Sequence, residues 1–267
     1  MSCLKILLRE VKVNLSGYTL MNMKIKFFNH FYLLFILLIF PVFAFASGKT
    51  LALDLTSISD QDISNIMPLI IDKDGSKVVS DVKFTNEIIV LDQPLSESEP
   101  KRVLKQLLND YISRTSDILN DIESGDISIQ NPELKSHIKS TLNANKYYLE
   151  TSFRDFESDT IDSDVKYYLT KYHDNTVVIT RTEDSISTTH YDTVDIDLVM
   201  SNPDNIIKNS LSMEGGIKRA SVENIKNIIR DLRENSSSVG RIEAYVVSPI
   251  LESNLRRMGF QHVQQGC

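Results

Sequence analysis

Residues 193–203 read TVDIDLVMSNP, and this stretch decides which class of fold the chain adopts. It alternates polar and apolar residues, with Asp195 and Asp197 among the polar ones. A period of two is that of a β-strand with one buried face, and Asn202-Pro203 is typical of its end. A general base for an amine can sit on the polar face, and a solvated strand surface explains the same aspartates. The apolar face is predicted to consist of Val194, Ile196, Leu198 and Met200.

The segments on either side predict a hairpin before this strand and a helix after it. Val165–Tyr172 and Val177–Thr182 flank Asp174-Asn175, a pair typical of tight hairpin turns. After the strand, a loop runs to Gly215-Gly216, and a helix follows. The apolar residues of this helix recur at helical spacing and so share one face: Val222, Ile225, Ile229 and Leu232.

The C-terminal segment predicts a strand, a short helix and a defined helix stop. The strand is Arg241–Val247 and the helix Ile250–Met258. Gly259 stands where a left-handed residue ends a helix, and Phe260 can then pack on Leu255 in a Schellman motif. Gln261–Gln264 is predicted to form a last short strand.

The N-terminal part of the globular region predicts three more strands. Thr50–Leu55 alternates as a strand, and Ser59 with Asp62 predicts the start of a short helix. Val78–Phe84 and Glu87–Leu91 predict two strands joined by a turn.

Two amphipathic helices are predicted within residues 95–157. The first begins after Ser98 and ends at Gly125, and Pro132 opens the second. We interpret both as helices that pack on the core, and an exposed groove for a partner is the alternative. Together the elements predict an α/β (α+β) fold, a mixed central sheet flanked by helices with a helical insertion at 95–157.

Composition limits the possible partners. The net charge is -7, and residues 1–46 hold five basic residues and one acidic residue, so the remainder carries -11. A surface of this sign repels phosphate backbones, so no nucleic-acid partner is expected. Cys3 and Cys267 lie at the two ends, which leaves no internal disulfide or thiolate metal cluster. The histidines lack metal-ligand spacing, and no metal site is predicted.

The N-terminal region predicts a secretory signal at residues 23–46. Lys24 and Lys26 form a basic start, an apolar run from Phe31 to Phe40 follows, and Ala44-Phe45-Ala46 suits signal peptidase. Residues 1–22 are interpreted as a misassigned upstream extension, and residues 47–267 as one domain. The chain is thus expected to be exported, secreted or periplasmic, with the membrane involved only through the signal. The alternative is a membrane anchor formed by residues 27–46.

The order of these elements resembles that of the GNAT superfamily, the acyl-CoA-dependent N-acyltransferases. The resemblance rests on a strand with a Ser57-Ile58-Ser59-Asp60 turn, the hairpin, and a strand that ends in Pro203. It continues with a glycine-bearing turn into a helix and is most specific at the closing segment, Val247–Phe260. A GNAT-like domain is therefore expected over residues 47–267.

The resemblance implies an acyltransferase that moves an acyl group from acetyl-CoA or another acyl-CoA to an unknown amine. Asp195 and Asp197, on the polar face of the strand that ends at Pro203, are the candidates for a general base. The pyrophosphate is expected at a helix N-terminus, where free N–H groups and the helix dipole favour an anion. The residues expected to bind the cofactor there are Gly215, Gly216, Ile217, Lys218, Arg219 and Ala220.

Two departures from the family pattern leave a second function open. Met213 and Lys218 occupy the outer positions of the pyrophosphate turn, and Leu255 stands where a tyrosine often acts as general acid. An exported protein also does not meet cytosolic acyl-CoA. The protein is then a toxin or bacterial effector delivered into another cell, an anchored enzyme that faces the cytosol, or a non-catalytic binding protein that keeps the fold without the cofactor and binds a protein partner.

Overall fold

A computed structural model describes residues 49–91, 98–157, 165–185, 192–236, 238–246 and 249–263. The chain divides into two units, Met1–Ser47 and Gly48–Cys267, and every described residue belongs to the second. The predicted signal peptide with its cleavage site and Cys267 lie outside the described residues. None of the helices within these ranges combines the length and apolar character of a membrane span.

The second unit is a mixed α/β structure that contains ten strands, five α-helices and a short 3-10 helix (Leu55–Ser57) in the described ranges. The strands are β1 (Lys49–Asp54), β2 (Leu69–Ile71), β3 (Lys77–Val79), β4 (Thr85–Leu91), β5 (Val165–Tyr172), β6 (Asn175–Ser185), β7 (Asp192–Ser201), β8 (Ile217–Lys218), β9 (Val239–Val246) and β10 (Gln261–His262). The helices are α1 (Glu99–Ser124), α2 (Pro132–Asp155), α3 (Pro203–Ser210), α4 (Ala220–Asn235) and α5 (Pro249–Arg257).

Seven strands form the central sheet in the order β10-β1-β9-β7-β6-β5-β4. Among the described strands of this sheet, β7 and β9 are the one parallel pair, and the others are antiparallel. The connection from β7 to β9 runs through α3, β8 and α4, as a parallel pair requires a crossover. A separate small sheet has the order β3-β2-β8.

Helices cover both faces of the central sheet. Leu104 and Leu108 of α1 and Leu149 of α2 pack on one face, with Tyr167 and Leu169 of β5. On the other face the apolar row of α4 and the end of α5 pack against Tyr168 and the β1–β9 region: Leu51, Leu53, Ile225, Ile228, Ile229, Leu232, Ile242, Ala244 and Leu255. Tyr167 and Tyr168, which are neighbours in β5, thus pack in opposite cores, because successive side chains of a strand point to opposite faces.

A β-bulge in β7 overturns the prediction that its four apolar residues share one face. Arg181 of β6 pairs with Leu198, and Thr182 with Ile196, so Asp197 is the extra residue. The strand therefore turns over at Asp197. Val194 and Ile196 pack in the α4 core, whereas Leu198 and Met200 pack in the core under α1 and α2.

Two locally encoded turns are confirmed. The β5–β6 hairpin turns at His173 and Asp174, both with positive φ, one residue earlier than the predicted Asp174-Asn175 pair. At the end of α5, Gly259 has a φ of 98°, Phe260 N–H donates to Leu255 O, and Gly259 N–H donates to Arg256 O. These are the two hydrogen bonds of the Schellman motif.

Three predictions in the loops were wrong. Ser59 and Asp62 exchange the hydrogen bonds of a capping box, but only turns follow where a helix was expected. β3 covers only Lys77–Val79, and it pairs with β2 rather than with β4. The loop predicted after Pro203 contains the helix α3.

Candidate functional site

A cleft opens where the two parallel strands of the sheet separate. The pairing of β7 with β9 ends with Ile196 opposite Ala244. Beyond that pair lies a cavity of about 590 Å³, lined by the last residues of both strands and by α2, α4 and α5. Crevices at the carboxyl ends of parallel strands are the usual ligand sites of sheets flanked by helices.

The two sides of the cleft differ in chemistry. On the α2 side the wall is mostly polar or aromatic: His137, Ser140, Thr141, Ala144, Asn145, Tyr148, Asp197 and Tyr245. On the side of α4 and α5 the wall is mostly apolar: Ile196, Val199, Ser221, Ile225, Ala244, Val246, Leu251, Asn254 and Leu255. The cavity therefore has an apolar part beside α4 and α5 and a polar part beside α2. The polar part, which includes Tyr148, Asp197 and Tyr245, is called the mouth of the cleft.

The structure brings Asp197 into this cleft but does not bring Asp195 to its wall. Asp197 comes directly after Ile196, the last residue of β7 that pairs with β9, and it is the extra residue of the bulge. Asp195 instead lies between Glu183 of β6 and Glu243 of β9 in the sheet register. His190 and Tyr191, which directly precede β7 in the chain, lie outside the described residues.

Arg181 holds the Asp197 carboxylate in place. Its guanidinium pairs with Asp155 at 2.7 Å, and also with Glu183 and Asp197. Burial lowers the pKa of the Arg181 guanidinium, but Asp155 together with Tyr167 and Glu183 outweighs burial, so the pKa is raised. Asp197 is thus a fixed carboxylate in the wall of the cleft.

Tyr148, Tyr245 and Asn254 line the cleft and were missed at the level of sequence. Burial raises the pKa of Tyr148, and the charges of Tyr147 and Asp197 add to the effect, so its phenol is neutral near pH 7. A signal for the α2 residues did exist. Residues 137, 141, 144 and 148 recur at helical spacing beside the apolar stripe of α2 and form a second, mostly polar stripe.

Gly215 and Gly216 lie away from the helix N-terminus at which they were predicted. Gly215 N–H donates to Ile71 O at 2.8 Å, and Gly216 N–H donates to Met213 O at 3.2 Å. Ile217 N–H donates to the Asn205 side chain. These three donors are therefore already used within the protein, and α4 begins only at Ala220.

Packing rather than ligand approach explains Gly216. A Cβ atom there would lie 2.8 Å from Ile71 Cδ1 and 3.2 Å from the carbonyl carbon of Lys208. Lys218 belongs to β8, and burial with the nearby Lys77 lowers the pKa of its ammonium group. Of the predicted cofactor-binding residues, only Arg219 and Ala220 stand at the start of a helix.

The first turn of α4 borders a second cavity of about 810 Å³. No acceptor for the N–H groups of Ala220, Ser221 and Val222 lies among the described residues. Arg219, Lys226 and Arg257 line this cavity, and within the described part of the chain none of them pairs with a carboxylate. Ser221 and Asn254 line both cavities. Asp62 also lines this cavity, so the three cations face one carboxylate, and the excess of positive charge suits an anion beside the cleft.

No model of a protein family matches the chain, and no curated protein is significantly similar to it. Within the described ranges, no group of three histidine, cysteine or acidic side chains is placed to hold a metal ion. The function therefore has to be argued from the cleft and from the resemblance in element order.

Proposed function

We propose that the protein is a GNAT-like N-acyltransferase that takes its acyl group from acetyl-CoA or another acyl-CoA. The observation that carries the proposal is the opening of the parallel pair β7–β9 beyond Ile196 and Ala244. In this proposal the thioester arm lies in the cleft and the phosphates lie at the first turn of α4.

The edges of the two strands suit an extended chain with amide groups. Leu198–Ser201 of β7 and Tyr245–Val246 of β9 have no strand opposite them across the cleft in the described residues. Asn145 already bonds the N–H and C=O of Ser201 across this edge, which shows that an amide group can satisfy it. The pantetheine arm of coenzyme A carries two amides and can bind exposed strand edges as a β-strand does.

The second cavity suits the phosphates of the same cofactor. Three free N–H groups at the start of a sixteen-residue helix favour an anion, and Arg219, Lys226 and Arg257 add positive charge around them. Because Ser221 and Asn254 line both cavities, one ligand can reach from one cavity into the other.

Acyl transfer in this cleft begins with a deprotonation, because only a neutral amine is a nucleophile and an amine that is cationic in solution must first give one proton to a base. The neutral nitrogen then attacks the thioester carbonyl carbon, and the C–S bond breaks. A second proton leaves the nitrogen as the amide forms, and one proton reaches the leaving sulfur. Asp197 is the carboxylate at the wall that can accept a proton, whereas Asp195 is not at the wall. Leu255 is buried and cannot act as an acid, so the neutral phenol of Tyr148 is the candidate donor to the sulfur.

Calorimetric titration of acetyl-CoA into the protein tests the cofactor site. We expect saturable binding, weakened about three- to tenfold in Arg257→Ala because one charge contact to phosphate is lost. Arg256→Ala is the matched control, because Arg256 is also exposed but does not line the cavity. Equal loss in both variants contradicts a specific phosphate site.

A non-catalytic binding protein is the second candidate. The observation that favours it is the use of the Gly215, Gly216 and Ile217 donors inside the protein, which removes half of the expected pyrophosphate turn. A folded protein that takes up no acetyl-CoA in the titration supports this candidate. Export, and delivery as an effector, stay predictions from the N-terminal sequence.

A further inference from the structure

The polar mouth of the cleft has features of a site for a positively charged group. Asp197 and Tyr245 are the residues just beyond the last pair of β7 and β9, and Tyr148 of α2 lies in the same wall. Among the described residues that line the cavity, Asp197 is the one carboxylate, and neither lysine nor arginine lines it. A carboxylate among aromatic rings is the usual environment of a bound organic cation.

The charges behind the wall leave this mouth negative. One guanidinium, that of Arg181, is shared by the three carboxylates of Asp155, Glu183 and Asp197. One positive and three negative charges give the cluster a net charge of -2. The Arg181 side chain is only 10% exposed, whereas that of Asp197 is 40% exposed. A ligand in the mouth therefore meets the carboxylate and not the guanidinium.

The exposed tyrosine at the opening has no packing role that explains its position. Tyr245 is 63% exposed, at the end of a strand whose other side chains are buried or half-buried. Its phenol ring lies on the same side of the sheet as Asp197, since Ala244 and Val246 point into the α4 core. The negative face of an aromatic ring attracts cations, and the Asp197 carboxylate in the same wall attracts them as well.

We propose that the mouth of the cleft binds an organic ammonium ion between Asp197 and the rings of Tyr148 and Tyr245. The inference deepens the proposed function, because this ammonium group belongs to the acyl acceptor. It names the acceptor class as a primary aliphatic amine that is cationic near pH 7, such as a lysine side chain or a diamine. α2, part of the helical insertion, is then the element that selects the acceptor.

Titration of 1,5-diaminopentane into the protein, without any thioester, tests the proposal. We expect binding that is at least tenfold weaker in Asp197→Asn and about fivefold weaker in Tyr245→Leu, since a cation–π contact is worth about 1 kcal/mol. 1-Pentanol, which has no charge, is expected not to bind. Because no acyl-CoA is present, failure here is distinct from failure of the cofactor titration.

Two matched controls distinguish binding at a defined site from attraction by the overall negative charge of the protein. Glu183→Gln removes a carboxylate that also pairs with Arg181 but does not line the cleft, and Tyr147→Leu removes the ring of a tyrosine that is 60% exposed and also outside it. Leucine keeps apolar bulk beside Tyr148, whose ring Tyr147 meets edge-on at 5.9 Å. Both variants are expected to change binding less than twofold. Equal weakening by Glu183→Gln and Asp197→Asn, or by Tyr147→Leu and Tyr245→Leu, overturns the proposal. If Asp197→Asn unfolds, the exposed pair of tyrosines still decides it.

Discussion

Tyr167 and Tyr168 are neighbours in β5, yet they belong to opposite halves of the molecule. Each is fully buried, and each donates a hydrogen bond of 2.6 Å to an aspartate on a covering helix. Tyr167 reaches Asp155 at the end of α2, and Tyr168 reaches Asp231 of α4. Each face of the sheet thus has a buried tyrosine that donates to an aspartate, but the side chains around the two pairs differ.

Both faces contain buried polar side chains, such as Asn145 and Ser152 under α2, but those of α4 form one row along a single helix. Glu223, Asn224 and Asp231 lie on the sheet side of α4 and are almost completely buried. Glu223 accepts from Asn86 and Arg230 and from the backbone N–H of Ile66. A polar row of this kind fixes the position of a helix more narrowly than apolar contacts do. The position of α4, whose first turn carries the proposed phosphate site, is therefore fixed by polar as well as apolar contacts.

The largest expected effect is that of breaking the polar row at Glu223. This side chain is 1% exposed, so Glu223→Ala leaves Arg230 without its partner and should cost about 3–5 kcal/mol of unfolding free energy. Glu223→Gln, which keeps the shape, should still cost about 2 kcal/mol. On the other face Leu108→Met, also shape-conserving, should cost about 1 kcal/mol. Urea unfolding measures all three, and a neutral Glu223→Gln contradicts the comparison.

The paired tyrosines give a sharper and smaller difference. Tyr168→Phe should cost about 2 kcal/mol, because Asp231 keeps only Asn235 at 2.8 Å and Lys166 at 3.7 Å. Tyr167→Phe should cost about 1 kcal/mol, because Asp155 keeps Arg181 at 2.7 Å. Thermal and urea unfolding measure the loss of stability in both variants. An equal loss, or a larger loss in Tyr167→Phe, contradicts this difference between the two faces.

The free energy of unfolding between pH 10 and 12 should depend on buried tyrosines of both faces. Burial raises the pKa of Tyr111, on the α1 face, to about 12, with Asn202 opposing and Asp204 adding to the shift. The unfolded phenol has a pKa near 10. A raised folded pKa means that this stabilisation is complete below pH 10 and is lost as the pH rises to 12. The slope is about 1.4 kcal/mol per pH unit, and Tyr111→Phe should remove it.

Burial also raises the pKa of Tyr168, on the opposite face, and the hydrogen bond to Asp231 adds to the shift. Tyr168→Phe should therefore lessen the same alkaline slope. Urea unfolding at several values between pH 10 and 12 measures it. A wild-type slope that neither variant reduces would mean that other groups control alkaline unfolding.

The smallest expected difference compares two glycines that end helices on opposite faces. Gly125 after α1 has a φ of 93° and open space around a Cβ position, whereas Gly259 after α5 has Leu53 Cδ1 at 3.3 Å. Valine at either position strains the backbone by about 1–2 kcal/mol. Gly259→Val should cost about 1 kcal/mol more than Gly125→Val, because Leu53 must also move. Equal melting temperatures of the two variants contradict the packing of α5 on β1.

Local signals in the sequence predicted the elements whose stabilisation is local. The hairpin at His173-Asp174 and the Schellman stop at Gly259 depend on residues within one turn, and both formed as expected. The capping box of Ser59 and Asp62 also formed, but no helix followed it. There the Ile66 N–H is bound by Glu223, a partner far away in the chain, and no local pattern reveals such a contact.

The candidate site was predicted only in part, for the same reason. A run of alternating residues cannot show a bulge, so the turning of β7 at Asp197 was hidden, although Asp197 itself was named. Asn202-Pro203 was interpreted as the end of a strand, but it is also the N-cap and first residue of α3. The glycine pair was assigned to a phosphate because its packing against Ile71 depends on a strand more than a hundred residues earlier.

The place of β1 in the sheet has a consequence for how the chain is made. β1 lies between β9 and β10, and its first residue, Lys49, pairs with Val246. The first strand to be synthesised therefore has no neighbour until nearly the whole polypeptide has left the ribosome, and closing such a long loop is slow. The nascent chain stays without its complete sheet during that time. Translocation across a membrane requires an unfolded polypeptide, so this delay would suit the export signal that is predicted directly ahead of β1.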